Sequence, residues 1–304
     1  MAAYFFKRVL YGIPVLFVVA TLTFFIMRWA PGGPFDTEKK LPPEIVANIE
    51  AKYHLDQPAV VQYLLYIKGL ASGDLGPSYK YIGRDVSDII SDTFPVSVVL
   101  GLSALMVVVF VGIPAGMASA YWQGSPVDRG VVFAATLGIS VPSFVLGTVL
   151  IWGLSHQLHW FPPALWEGPK HIILPAIALG APFAGYIARL TRSAILETLS
   201  ADYVRTARAK GLSEPVILFK HVLKNSMSPV VSVLGPLTAG LVTGSFVVEF
   251  IFSIPGMGRF FITAVTNRDY PLIMGVTLVY SVLIVLANIV VDMIYAWLDP
   301  RVSV

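Results

Sequence analysis

The chain has 304 residues, of which 56% are hydrophobic and only 13% are charged, and its mean hydropathy is +0.75. A soluble domain cannot bury that much apolar surface, so the composition excludes a soluble protein and indicates one whose solvent is a lipid bilayer. The net charge of +3 comes from basic residues spread through loops, which argues against nucleic-acid binding. Because the chain has no cysteine, disulfides, thiolate metal sites and cysteine nucleophiles are excluded.

Six apolar runs are long enough to cross a bilayer, which needs about 20 residues per helix. We predict spans at residues 9–28, 96–121, 131–153, 172–190, 230–252 and 272–297. The first run begins like a signal peptide, but it is longer and no small-residue cleavage site follows, so we interpret it as a helix. The predicted fold class is an all-α integral membrane protein with six transmembrane helices.

Basic residues are distributed unequally between the two sides of these spans. With the N-terminus inside, the cytoplasmic segments carry Lys7, Arg8, Arg129, Arg189, Arg192, Arg205, Arg208, Lys210, Lys220, Lys224 and Arg301. The short outer loops carry only Lys170, Arg259 and Arg268. By the positive-inside rule, both termini are predicted to be cytoplasmic.

Residues 29–95 form a long outer loop for which the sequence predicts helices of its own. Amphipathic stretches follow the prolines at 42–43 and 58, and residues 84–90 are expected to lie at the membrane interface before Pro95 begins the second span. Two interpretations remain open. The loop is either a small cap on the outer face or a docking surface for a soluble partner.

Small-residue patterns occur in two of the predicted spans. Gly112 and Gly116 are four residues apart, as are Gly240 and Gly244. Such spacing lets helix backbones approach closely in lipid, so both pairs predict a packed helical bundle.

Catalytic and metal-binding patterns are weak. The chain has no phosphate-binding loop, so we expect it not to bind ATP by that route. His156 and His159 have the spacing of two ligands on one helix face, but no third ligand is near, and we predict no metal site. Ser103 would need a base to act as a membrane nucleophile, and no histidine lies inside a predicted span.

Glu249 lies near the outer end of the fifth span, where a charge is costly. Two explanations remain open: a salt bridge to Arg259, or the lining of a polar pathway. We take Glu249 together with Pro255, Gly256 and Gly258 as the candidate pathway or gate.

The loop at 191–229, between the fourth and fifth spans, is basic and carries signals for a short helix. We expect Ser200 to cap its start and Asp202 to lie at its positive end, while Arg208 suits the negative end. Gly211 can supply the left-handed conformation that ends such a helix.

A second helix is predicted directly after this glycine. Ser213 is expected to cap it, with Glu214 and Pro215 in its first turn. The product is a rigid helix–turn–helix on the cytoplasmic side, which suits contact with a partner. The alternative is a pair of interfacial helices lying on lipid headgroups.

This segment resembles the cytoplasmic "EAA" loop of ABC-importer permeases, whose pattern is Glu-Ala-Ala, three residues, Gly. Ala207 and Gly211 match the pattern, whereas Arg205 and Thr206 stand where it has Glu and the first Ala. The form Arg-Thr-Ala-Arg-Ala-Lys-Gly-Leu at 205–212 resembles the peptide/nickel branch of that family.

Other stretches carry the same resemblance. Residues 27–34, 267–270 and 298–301 are similar to that branch, and residues 41–55 and 76–81 resemble the first permease subunits of oligopeptide importers. The resemblance therefore runs nearly from end to end.

The resemblance implies a type I ABC-importer permease fold in the inner membrane. It implies an N-terminal helix at 1–28, a helical periplasmic loop at 29–95, a five-helix core at 96–297 that includes the coupling loop, and a cytoplasmic tail at 298–304. The residues implied to couple to an ATPase are Arg205, Thr206, Ala207, Arg208, Ala209, Lys210, Gly211 and Leu212.

The partners implied by the resemblance are a homologous second permease, two ATPase subunits and an extracytoplasmic peptide-binding protein. ATP and Mg would be bound by the ATPase subunits, and this chain would hold no cofactor and catalyse no reaction. Within the same family, a permease for dipeptides, glutathione or nickel remains an alternative. A secondary transporter would instead show inverted repeats and ionisable residues at the midplane, and neither is clear in this sequence.

Overall fold

The computed structural model describes residues 2–29, 33–35, 51 and 53–298, and these residues are mostly helical. In chain order the helices are α1 (Ala2–Trp29), α2 (Ala59–Ala71), α3 (Val86–Tyr121), α4 (Pro126–Ser140), α5 (Ser143–Gln157), α6 (Pro169–Leu199), α7 (Asp202–Ala209), α8 (214–226), α9 (Ser228–Val242), α10 (Phe246–Ile251), α11 (Met257–Asn267) and α12 (Tyr270–Leu298). Three of them contain a π-helical segment, at Val108–Gly112 in α3, Ile151–Gln157 in α5 and Ile217–Val222 in α8.

Five helical segments are long and apolar enough to cross a membrane: Leu10–Trp29, Val86–Tyr121, Pro169–Leu199, Ser228–Ile251 and Tyr270–Val290. They match five of the six predicted spans. The other predicted span, 131–153, is not one straight helix, because α4 and α5 meet at an angle of 109°. Val141, which precedes Pro142, has an extended backbone (φ −84°, ψ 122°), as expected for a residue whose helical conformation is disfavoured by the following proline. A sixth span exists only if this bent pair crosses the membrane as one unit.

The start of α3 also differs from the prediction. The helix begins at Val86 and runs without a break through Pro95, so the predicted interfacial helix and the second span are one element. A proline inside a helix removes one backbone hydrogen bond, and transmembrane helices tolerate this where neighbouring groups compensate.

The outer loop is joined to the core by a buried carboxylate. Asp269, just before α12, accepts hydrogen bonds from the Ser78 hydroxyl, the Tyr79 amide (3.1 Å) and the Leu272 amide (3.4 Å). Two sequence stretches that carried the resemblance, 76–81 and 267–270, therefore meet in space. The predicted helix after Pro58 is confirmed as α2, whereas most of the stretch predicted from residue 42 lies outside the described residues.

The core is built on close contact between α3 and α6. A Cβ atom added to Gly112 would lie 2.8 Å from the Ala184 carbonyl oxygen, and one added to Gly116 would lie 2.7 Å from the Thr191 Cβ. The close packing predicted for this glycine pair is confirmed. The second pair does not behave in this way: Gly240 has open space beside it, and Gly244 lies beyond the end of α9 with a φ of +87°.

Candidate functional site

The predicted coupling segment forms helix α7, and the start of this helix differs from the sequence prediction. Ala201 occupies the capping position and makes no side-chain bond to the helix. Ser200 instead ends α6, where its hydroxyl donates to the Glu197 carbonyl at 2.7 Å. The preceding helix continues for nine residues beyond its predicted apolar span, from 190 to Leu199, so this serine belongs to its end. Asp202 lies in the first turn of α7, as predicted.

The end of α7 is a Schellman motif. Gly211 has a φ of +79°, which confirms the left-handed conformation expected from the sequence. The Gly211 amide donates to the Arg208 carbonyl at 2.9 Å, and the Leu212 amide donates to the Ala207 carbonyl at 3.3 Å. These two bonds satisfy carbonyls that the end of a helix would otherwise leave without partners.

An ion pair holds α7 against the start of α8. The Arg208 guanidinium donates two bonds to the Glu214 carboxylate, at 2.7 and 3.1 Å, across the Gly211 turn. This hydrogen-bonded pair lowers the pKa of the Glu214 carboxyl and raises the pKa of Arg208. Ser213 occupies the capping position of α8 but makes no side-chain capping bond, so Glu214 fixes the turn by pairing with Arg208.

The base of α7 is buried against the membrane helices. Val204 and Ala207 join a hydrophobic cluster with Ala120 at the end of α3, Ile195 on α6 and Ile217 on α8. Val204 is completely buried and was missed by the motif, whose register marks Ala207. The helical spacing of 204 and 207 is the signal that would have found it.

The other seven predicted coupling residues are exposed. They are Arg205, Thr206, Arg208, Ala209, Lys210, Gly211 and Leu212. The segment 205–212 therefore exposes three basic side chains, while Ala207 is turned into the protein. Exposed apolar side chains accompany them in α7 and α8, namely Tyr203, Leu212, Val216 and Phe219.

An ion pair between the buried Asp128 and the partly buried Arg192 was also missed. Asp128, in the first turn of α4, accepts bonds from Arg192 of α6 at 2.8 and 2.9 Å. The Ser119 hydroxyl near the end of α3 and the Gly124 amide bond to the same carboxylate. One side chain thus joins α3, α4 and α6 on the side where α7 packs. The sequence signal was local: Ser125 caps α4, and Asp128 is the third residue after it.

Glu249 of α10 is completely buried and binds the start of α11. Its Oε2 accepts from the backbone amides of Gly258 (2.7 Å) and Arg259 (3.3 Å). The Arg259 guanidinium donates to the Ser253 carbonyl at 3.0 Å rather than to this carboxylate. The salt bridge considered from the sequence is therefore replaced by contact with the Arg259 backbone. Anionic groups suit helix N-termini, so these two amides stabilise Oε2, whereas Oε1 has no hydrogen-bond partner among the described residues.

Small residues leave room for this carboxylate. A Cβ atom on Gly256 would lie 2.7 Å from the Ser97 hydroxyl and closer still to Glu249, and one on Gly258 would lie 2.9 Å from Glu249 Oε2. Pro255 is exposed, whereas Gly256 and Gly258 are buried. The structure brings the four candidate gate residues together as one turn around the start of α11.

A cavity of about 450 Å³ lies where two helices are interrupted. The bend at Val141 and Pro142 lines one part of it, and the break between α9 and α10 at Gly244 and Ser245 lines another. Gly244 also lies against Glu249, so the turn formed by Glu249 and the start of α11 borders this cavity.

The two histidines considered as metal ligands do not line this cavity. His156 lies in α5, while His159 lies beyond the end of α5 with a φ of +55°, so they do not share one helix face.

Comparison with known proteins gives consistent matches. The family described as "Binding-protein-dependent transport system inner membrane component" matches residues 112–304. A second family, described as the N-terminal part of a binding-protein-dependent transport system membrane component, matches residues 1–101.

Curated relatives match over almost the whole chain. The oligopeptide transport system permease protein of Haemophilus influenzae is 42% identical over 304 residues, covering 99% of both chains. The dipeptide transport system permease protein of Bacillus subtilis is 44% identical over 303 residues, covering 100% of this chain and 98% of the relative. The oligopeptide permease protein of Escherichia coli K12 is 43% identical over 304 residues, covering 99% of both.

Solved structures show the same fold at lower identity. The inward-facing MetNI methionine ABC transporter superposes with a TM-score of 0.59 at 16% identity, covering 69% of this chain and 96% of that chain. At that identity the match supports the fold alone.

Proposed function

The chain belongs to the family of binding-protein-dependent transport system inner membrane components, and we propose that it is the first permease subunit of an ATP-driven oligopeptide importer. It is a membrane-embedded permease subunit rather than an enzyme, as its curated relatives are. The observation that carries the proposal is identity of 42–44% to peptide permeases over essentially the whole chain. The resemblance of 41–55 and 76–81 to oligopeptide permeases favours that substrate class.

In this proposal α7 is the coupling helix that contacts an ATPase subunit. Its exposed residues, Arg205, Thr206, Arg208, Ala209, Lys210, Gly211 and Leu212, would form the contact, while Ala207 would hold the helix to the permease. A basic surface interleaved with the exposed apolar side chains Leu212, Val216 and Phe219 suits a groove lined by acidic and apolar groups. ATP and Mg would be bound by two such ATPase subunits, with no cofactor on this chain.

Movement of α7 would be transmitted to the membrane helices through its buried base. Val204 and Ala207 contact the end of α3 and α6, and Asp128 ties these same helices to α4. A close-packed unit moves as one body, because separating it would expose a buried charge and apolar surface. ATP-driven movement of the ATPase subunits would thus rock α3, α4 and α6 together and shift the balance between inward-open and outward-open states.

The turn of Glu249, Pro255, Gly256 and Gly258 is proposed as a gate beside the pathway. Two observations support this proposal: the turn borders the cavity at the two helix interruptions, and Glu249 is buried within it. A homologous second permease would supply the other half of the pathway, and an extracytoplasmic binding protein would deliver the peptide. We also retain the proposed division into 1–28, 29–95, 96–297 and 298–304, with both termini in the cytoplasm.

A dipeptide permease is the second candidate function, because the Bacillus subtilis dipeptide permease protein is 44% identical over the full chain. The test is ATP-dependent uptake by proteoliposomes that contain this chain, the second permease, the ATPase subunits and the binding protein. The substrates are peptides of two to five residues. Uptake of the longer peptides is expected. Uptake of dipeptides alone would favour the second candidate, and no ATP-dependent peptide uptake would contradict both.

A further inference from the structure

A cavity of about 350 Å³ opens between α1, α2 and the loop that follows α2. Most of its lining lies in the N-terminal third of the chain, and Pro271 and Met274 of α12 complete it, whereas no residue of α7 or of the Glu249 turn lines it. Arg28 from the end of α1, Gln62 and Tyr66 from α2, and Tyr53 and Tyr79 from the flanking loops line it. Its volume is in the range of pockets that hold small ligands.

Three buried polar atoms of this lining have no hydrogen-bond partner among the residues that the structure describes. They are Arg28 Nε, Gln62 Oε1 and Tyr66 Oη. Buried polar groups in native proteins are almost always paired, so three unpaired atoms around one cavity need an explanation. The amide nitrogen of Gln62 is already used, donating to the Leu55 carbonyl at 3.2 Å and to the Gln57 carbonyl at 2.6 Å, which leaves Oε1 as an available acceptor.

The cavity is cationic at one end and aromatic along its walls. The Arg28 guanidinium lies 4.4 Å from the centre of the Phe24 ring, and within the described part of the chain it forms no ion pair. Tyr53 and Tyr79 pack against each other with ring centres 4.6 Å apart. Asp74 also lines the cavity, but its Oδ1 already accepts from the Gly76 amide at 2.8 Å.

The cavity lining offers two hydrogen-bond donors, Arg28 and the Tyr66 hydroxyl, and one acceptor, Gln62 Oε1. Arg28 and the Tyr66 hydroxyl can donate to an anion, and a carboxylate is the planar anion that a guanidinium binds best. Burial raises the pKa of Tyr66 to about 12, so this phenol stays protonated and able to donate at neutral pH. The free Gln62 Oε1 can accept from an N–H group on the same ligand. A carboxylate next to an amide N–H is the C-terminal end of a peptide.

We propose that this outer cavity binds the C-terminal residue of a short peptide. The α-carboxylate would lie against Arg28 and Tyr66, the last peptide N–H against Gln62, and the side chain among the tyrosine rings. This inference rests on the proposed function for its choice of a peptide. Within that function, the site would hold a peptide end at the outer face of the permease, before or during its entry into the pathway.

The test uses the assembled transporter in nanodiscs, without binding protein or ATP. Binding of trialanine and of its C-terminal amide is measured by saturation-transfer NMR over a concentration series. The amide should bind at least about tenfold more weakly, the loss expected when a hydrogen bond to a charged group is removed. In Arg28→Gln this discrimination should disappear, and in Tyr66→Phe it should shrink. Arg84→Gln is the matched control, since Arg84 is an outer-face arginine that pairs with Asp92 and does not line the cavity.

Equal binding of the two peptides by the wild type, or full discrimination in Arg28→Gln, would overturn the inference. The same variants are prepared in phosphatidylcholine discs and in discs with phosphatidylglycerol. If Arg28→Gln loses bound phosphatidylglycerol while the wild type ignores the peptide terminus, the site belongs to a lipid headgroup and the peptide assignment is wrong. Discrimination without any peptide uptake in proteoliposomes would support the site but contradict the proposed function. Peptide uptake without discrimination between trialanine and its C-terminal amide would support the proposed function but contradict the site.

Discussion

Replacing Gly211 isolates the conformation that ends α7. A Cβ atom at this position meets nothing within 4 Å, so the cost of a side chain is backbone strain at φ +79° and not a steric clash. A non-glycine residue held in such a region costs about 1–3 kcal/mol, with β-branched residues at the unfavourable end and Asn the best tolerated. Gly211→Val should therefore be strongly strained, and Gly211→Asn only mildly so.

That energy is large relative to what stabilises α7. The helix has eight residues, too short to be stable alone, and it buries only Val204 and Ala207. A strain of about 1–3 kcal/mol lowers the population of the ordered end of the helix about 5- to 150-fold relative to its frayed form. We expect Gly211→Val to insert normally into the membrane but to lose ATPase binding and transport, and Gly211→Asn to keep most of both.

The assay is co-purification of the ATPase subunits with each variant, followed by ATP-dependent uptake in proteoliposomes. Hydrogen exchange of the backbone amides at 208–212 reports directly on whether the Schellman motif is lost. Normal ATPase recovery with Gly211→Val would refute the proposed coupling role. Equal loss in Gly211→Val and Gly211→Asn would refute the strain argument, since it would point to contact made by the glycine surface itself.

Three further predictions follow from buried or paired carboxylates. Asp128→Asn should destabilise the permease by leaving the Arg192 guanidinium without its charged partner, so the midpoint of thermal unfolding in detergent should be lower than for the exposed control Asp88→Asn. Gly256→Ala should cost about 1–3 kcal/mol by crowding Ser97 and Glu249, while Gly130→Ala, where open space surrounds the glycine, should cost nothing in the same assay. Arg208 lowers the pKa of the Glu214 carboxyl in the folded protein. The stabilisation from this ion pair is therefore fully present above the pKa of an unfolded glutamate, about 4.3, and it is lost as the pH falls through the lower pKa of the folded state. Glu214 should accordingly titrate at higher pH in Arg208→Gln, as followed by carboxyl ¹³C chemical shifts, and an unchanged titration would contradict the pairing.

Composition and local pattern were enough to predict most of the fold. Long apolar runs located five spans, because a bilayer requires each helix to satisfy its own backbone. Gly211 was predicted correctly because a left-handed helix end leaves a local signature. The 131–153 span was predicted without its bend, because a hydropathy pattern does not register a bend, although Pro142 marks the position. Ser200 was assigned to the wrong helix, because the apolar run of α6 ends before the helix itself does.

The parts of the site that could not be predicted are the contacts between distant segments. Asp128 is buried by Arg192, which is 64 residues away, and Asp269 by Ser78, which is 191 residues away. Each of these acids looks like an ordinary loop or helix-start residue in the sequence. Their role becomes visible only when the helices are placed together.

Asp128, Glu249 and Asp269 follow one physical rule. Each carboxylate is buried, each lies against a serine hydroxyl, and each accepts backbone amides at a turn or a helix start. A buried carboxylate is stabilised by such donors, and moving one of the helices that supply them would remove some of these bonds. These acids therefore fix how the helices sit against one another more sharply than apolar contacts do, because lipid is as apolar as the side chains it would replace. A permease that rocks must move its helices in groups, and these three sets of contacts mark which segments stay together when it does.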